Sequence, residues 1–138
     1  MNYPNIYSLF RDRVQRYCAS TPAQNVFYVR RDEKWQPISW DRFNSEAHDF
    51  AAALLSLGLK KGGSVAILMG NVPEWPIVDI GTIAAGGVGV GLYPTSSAEQ
   101  CQYIINDSGA AANFQPRAWT ITEVPHVHSA TIAIKCFK

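Results

Sequence analysis

The sequence predicts an α/β fold: a partial β-α-β-α unit of three layers with parallel strands. Three observations carry that expectation. Residues 65–69 read VAILM, a continuous apolar run that suits a strand buried on both faces. Residues 88–92 read VGVGL, a second such run. Helical segments, EWPIVDIGTIAAG and AEQCQYIINDSG, follow each of them. A strand, one helix and a second strand imply parallel pairing through a right-handed crossover.

The elements before this unit follow from periodicity. In residues 5–19, Ile6, Leu9, Phe10, Val14 and Tyr17 recur near helical spacing, with Arg11, Asp12, Gln15 and Arg16 opposite, so the segment is an amphipathic helix. VFYVR at 26–30 and WQPIS at 35–39 flank a polar turn and predict a short hairpin. Pro37 confines its second strand to an edge. Ser39 is a good N-cap for the next helix, whose stripe is Phe43, Ala47, Phe50, Ala51, Leu54 and Leu57. Gly58 fits the left-handed position that ends such a helix, and LKKGG follows as a turn.

In the third helical segment Pro73 and Glu74 suit the first turn, and Pro76 is near enough to the start to be tolerated. PTSS is a turn in which Ser96 or Ser97 caps the next helix; Ala98, Cys101, Ile104 and Ile105 supply its inner face. Beyond Ala110 the pattern changes. AANF reads as a third strand, while TITEV and ATIAIKCF alternate weakly and could be strands, without continuing the earlier rhythm.

Composition excludes several classes. Apolar residues are 47% and charged residues 17% of 138, which is globular rather than disordered. A net charge of +1 gives no electrostatic footprint for nucleic acid or an anionic membrane. Cys18, Cys101 and Cys136 are odd in number and far apart, which suits a reducing compartment and forms no zinc or disulfide framework. The start, MNYPNIYSLFRDR, lacks a signal-peptide core, and no apolar run approaches the roughly 18 residues of a membrane span. The expected localisation is cytoplasmic.

The stretch NVPEWPIVDIGTIAAGGVGVGLYPTSS invites a phosphate-binding reading. A dinucleotide fingerprint needs a strand, then G-x-G-x-x-G, then a helix. Gly87, Gly89 and Gly91 instead follow a helix and sit in a strand, spaced G-x-G-x-G. A Walker loop is absent: Lys60 and Lys61 precede Gly62 and Gly63, the wrong order. Packing explains the glycines better. Gly81 in mid-helix costs about 1 kcal/mol against alanine, which points to close approach of another backbone. Ala84 and Ala85 extend the small surface, Gly86 and Gly87 end the helix, and Gly89 and Gly91 smooth one strand face, opposite Val88, Val90 and Leu92.

Other tempting residues read as structural. His126 and His128 lack a companion carboxylate or cysteine pattern for metal. Cys101 lies on an apolar face and behaves as a small core residue. Asp41, Glu46 and Asp49 form a solvated helix face. Ser96 and Ser97 have no histidine partner nearby.

The residues together carry a resemblance. G-L-K-K-G at 58–62, V-A-I-L-M-G-N at 65–71, P-E-W at 73–75 and G-L-Y-P-T-S-S-A-E-Q at 91–100 resemble the N-terminal region of AMP-forming acyl-CoA synthetases, in the long-chain fatty acid–CoA ligase branch. The resemblance covers about residues 25–111 and is weaker before them. It implies that the unit belongs to such an enzyme's N-terminal domain. It also implies a parent enzyme that uses ATP, Mg2+ and CoA to activate a fatty acid, with peripheral membrane contact for the full-length form. The family's phosphate loop resembles T-S-G-T-T-G-x-P-K-G, and no such string occurs in the 138 residues. The adenine motif, the ribose-binding aspartate and the C-terminal lysine would all lie beyond Lys138. No catalytic, cofactor-binding or metal residue is therefore assigned to this chain, and no cofactor is expected for it.

The expected organisation is residues 1–111 as the N-terminal part of the AMP-binding domain and 112–138 as a divergent tail, frame-shifted, appended or disordered. The expected function is a truncated, inactive portion of the ligase. The alternatives are a non-catalytic interaction module, self-associating through an exposed sheet edge, and a small nucleotide-binding domain.

Overall fold

The computed structural model describes residues 3–20, 24–110, 112–114 and 132–133. The elements are α1 (Ile6–Cys18), β1 (Asn25–Arg31), β2 (Lys34–Ser39), α2 (Trp40–Ser56), β3 (Ser64–Leu68), α3 (Glu74–Ala84), β4 (Val88–Leu92), α4 (Ala98–Ser108), β5 (Ala112–Phe114) and β6 (Ile132–Ala133). The strands form an antiparallel hairpin, β1-β2, and a four-stranded sheet in the order β4-β3-β5-β6. Every pairing in the larger sheet is parallel.

The central strand β3 is buried because its run from Val65 to Leu68 is apolar. Its alternate residues face opposite layers. Val65 and Ile67 join Met69, Ala51 and Leu54 of the α2 side and Val78 of α3 in one core cluster. Ala66 joins Leu92 and Ala110, with Leu68, Cys101, Ile104 and Ile105 packed against them, in another. The three layers are thus α2 with α3, the sheet, and α4. A third cluster of Phe10, Phe43, Ala47 and Ile77 fastens α1 to α2 and α3, with Phe27 of the hairpin against it.

Helix ends are fixed locally. Asn5 caps α1 by accepting from the Ser8 amide at 2.8 Å. Ser39 caps α2 as expected, accepting from the Arg42 amide at 3.1 Å. Gly58 has φ +86°. The amides of Gly58 and Leu59 return to the carbonyls of Leu55 and Leu54, both at 3.0 Å, which closes the left-handed cap. Gly86 repeats the device at the end of α3, with φ +80°.

Of the two candidate serines, Ser97 is the cap of α4. Its hydroxyl accepts from the Gln100 amide at 3.3 Å, and the Gln100 side chain accepts from the Ser97 amide at 2.9 Å. This capping box matters because α4 has no fully buried residue to hold it. Ser97→Ala should lower stability by about 1 kcal/mol. Amide exchange across α4 checks this: protection there should fall before protection in β3.

The sheet extends further than the apolar runs indicated. β5 realises the strand expected at AANF and pairs with β3, and β6 adds a two-residue parallel strand beyond it. β6 falls within ATIAIKCF, whose weak alternation allowed a strand, although two residues are too few for a period to fix it. His126, His128, Cys136 and TITEV lie outside the described residues.

Candidate functional site

The glycine-rich stretch contributes α3, β4 and the turn before α4. Its glycines face the protein's own atoms. A Cβ on Gly81 would lie 2.6 Å from the Ala47 carbonyl oxygen and 2.9 Å from Phe50 Cδ1, so α2 and α3 cross at that point. A Cβ on Gly87 would meet the Gly63 carbonyl oxygen, Leu59 Cδ2 and Thr82 Cγ2, each at 3.0 Å. Gly91 lies beneath Trp75, whose Cζ2 would be 3.6 Å from an added Cβ. Gly89 lies beneath Asp79, whose Oδ1 occupies the space a Cβ would need. Gly89 and Gly91 therefore share the face toward α3, while Leu92 packs on the opposite, α4, side. A phosphate cradle would leave these faces open; at Gly81, Gly87 and Gly89 the protein's own atoms occupy them, while Gly91 is exposed.

The Lys60–Lys61–Gly62–Gly63 turn is more than a solvated connection. The Gly62 amide donates to the Gly86 carbonyl at 2.7 Å, and the Val88 amide donates to the Gly63 carbonyl at 2.9 Å. The two glycine pairs pin the start of β3 to the start of β4. Both lysines remain exposed.

The start of α4 is equally unsuited to an anion. Ser97 Oγ donates to Glu99 Oε2 at 2.7 Å. That bond, with the Glu99 backbone amide, holds the Glu99 carboxyl below its ordinary pKa. The helix's own carboxylate supplies the negative charge that a helix N-terminus attracts. The groove beside it is lined by Ser96, Glu99, Gln100, Tyr103 and Ile104, a carboxylate with no cation.

The remaining candidates are dispersed. Cys101 is half-buried against the Ala66–Leu92–Ala110 cluster. Asp41 and Asp49 are exposed, and Glu46 pairs with Arg42 at 2.6 Å along α2. Among the described residues, no group of three or more His, Cys, Asp or Glu side chains could hold a metal ion.

Asp79 was not singled out by sequence reasoning, although it is the one acid in the interior of an otherwise apolar helix, a usable signal. Burial raises its pKa above the ordinary aspartate value. A carboxyl whose pKa is raised on folding costs stability once it ionises. The cost is absent below about pH 4, where folded and unfolded forms are both protonated, and grows until pH passes the raised folded value. Asp79→Asn should therefore raise the urea midpoint at pH 7 and leave the difference from the parent smaller at pH 3. An equal shift at both pH values would reject this account of Asp79.

With the geometry in hand, comparison with known proteins is decisive. The family model for AMP-binding enzymes matches residues 12–136.

The chain belongs to the AMP-binding enzyme family.

Within this AMP-binding family its curated relatives include the long-chain-fatty-acid–CoA ligase ACSBG1 of Rattus norvegicus. That protein is 37% identical over 115 residues, covering 72% of this chain and 16% of the relative. ACSBG1 of Homo sapiens is 47% identical over 78 residues, covering 56% of this chain and 11% of the relative. The chain thus spans less than a fifth of the length of these relatives, and it resembles their N-terminal part. Among solved structures, the N-terminal subdomain of Klebsiella oxytoca NpsA in complex with 3-hydroxybenzoyl-AMSN superposes with a TM-score of 0.74 at 20% identity, covering 93% of this chain and 29% of that one. At that identity the likeness concerns the fold. The expected resemblance to AMP-forming acyl-CoA synthetases, and the expected α/β unit of their N-terminal domain, are both borne out.

Proposed function

We propose that the chain is the N-terminal scaffold of a long-chain fatty acid–CoA ligase and is inactive by itself. The parent reaction joins a fatty acid to CoA, with ATP converted to AMP and pyrophosphate. One observation carries the reading: the family match covers residues 12–136, yet no T-S-G-T-T-G-x-P-K-G string occurs anywhere in the sequence. Adenylyl transfer from ATP needs backbone amides and a lysine around the phosphates and a carboxylate for the metal. The described residues do not fit Mg2+ and ATP, because Gly81, Gly87 and Gly89 face the protein's own atoms and no suitable acidic cluster exists among them. No catalytic step is therefore assigned to this chain's residues.

The test is ATP–pyrophosphate exchange with a long-chain fatty acid. The expected result is exchange no faster than a no-enzyme blank. Exchange clearly above the blank sinks the inactive-scaffold reading.

We further propose the division into residues 1–111, the N-terminal part of the AMP-binding domain, and a divergent tail at 112–138. The family match to residue 136 and the parallel strands β5 and β6 weigh against a wholly foreign tail. A tail that keeps strand positions while its sequence diverges fits both observations. Translating the DNA after the codon for Ala110 in every frame tests the frame-shift alternative: a phosphate-loop string in another frame would support it, and its absence from all frames rejects it. A cytoplasmic location with peripheral membrane contact in the parent completes the reading. No helix among the described residues is long and apolar enough to cross a membrane.

Self-association is a second reading with one support: β4 is an edge strand of the described sheet, and Val88 on it is exposed. A discrete oligomer by light scattering would favour it.

A further inference from the structure

We draw no further inference here: the strongest candidate, the half-buried Asp79 carboxyl that α3 lays over Gly89 of the edge strand β4, already accounts for the pH dependence given for the site, and nothing in the structure shows what covers that edge.

Discussion

Gly81→Ala should lower the stability of the chain by about 1–2 kcal/mol, read as a lower urea midpoint. Two effects oppose each other. Alanine favours the helix by about 1 kcal/mol over glycine. Against this, the new methyl would lie 2.6 Å from the Ala47 carbonyl oxygen, well inside contact distance. That oxygen belongs to the backbone of α2 and cannot turn aside as a side chain can. Overpacking costs about 1–3 kcal/mol, and a backbone oxygen at 2.6 Å puts this case in the upper half of that range, so the steric term wins by about 1–2 kcal/mol. Gly81→Val should be worse, because its branched side chain also meets Phe50 Cδ1, 2.9 Å from the first added carbon. A neutral or raised midpoint for Gly81→Ala would show that α2 and α3 do not approach as described.

Leu54→Ala should cost about 2–5 kcal/mol. Leu54 is 1% exposed and shares a cluster with Val65, Ile67, Met69 and Val78. Its removal empties the space between α2 and the central strand, and neither the sheet nor the helix can close the gap alone. An intact domain of this length has a stability on the order of 10 kcal/mol, so this one change takes a large share. The check is thermal or urea unfolding followed by far-UV circular dichroism. Loss of cooperativity, rather than a simple shift, is the outcome if the margin is already thin.

Much of this was legible because the informative residues act locally. VAILM names a two-sided strand since every position must be apolar there, and Val65, Ala66 and Ile67 are all buried. Gly58 and Gly81 were readable for opposite reasons: one stands where a left-handed cap is needed, the other where a glycine is costly unless a backbone passes close. The Gln100 half of the capping box fixes Ser97 over Ser96, a distinction visible only with both hydrogen bonds in place. What stayed hidden depends on distant pairing. Among the described residues, the strand allowed at ATIAIKCF is realised only as the two residues of β6, whose parallel place beside β5 no local pattern shows. The hold of Gly62 and Gly63 on Gly86 and Val88 joins turns more than twenty residues apart. Asp79 stands out as the lone interior acid of an apolar helix, but its burial depends on β4 placing Gly89 under it.

The glycine-rich stretch names the family, and in the proposed reading it does so as scaffold. Its glycines let α3 lie against α2 and β4, and its serine caps α4 with the helix's own carboxylate nearby. The most direct test is calorimetric titration of the folded chain with ATP and Mg2+. The account predicts no saturable heat. Saturable binding that Gly87→Ala or Gly89→Ala abolishes, in variants that remain folded, would contradict it.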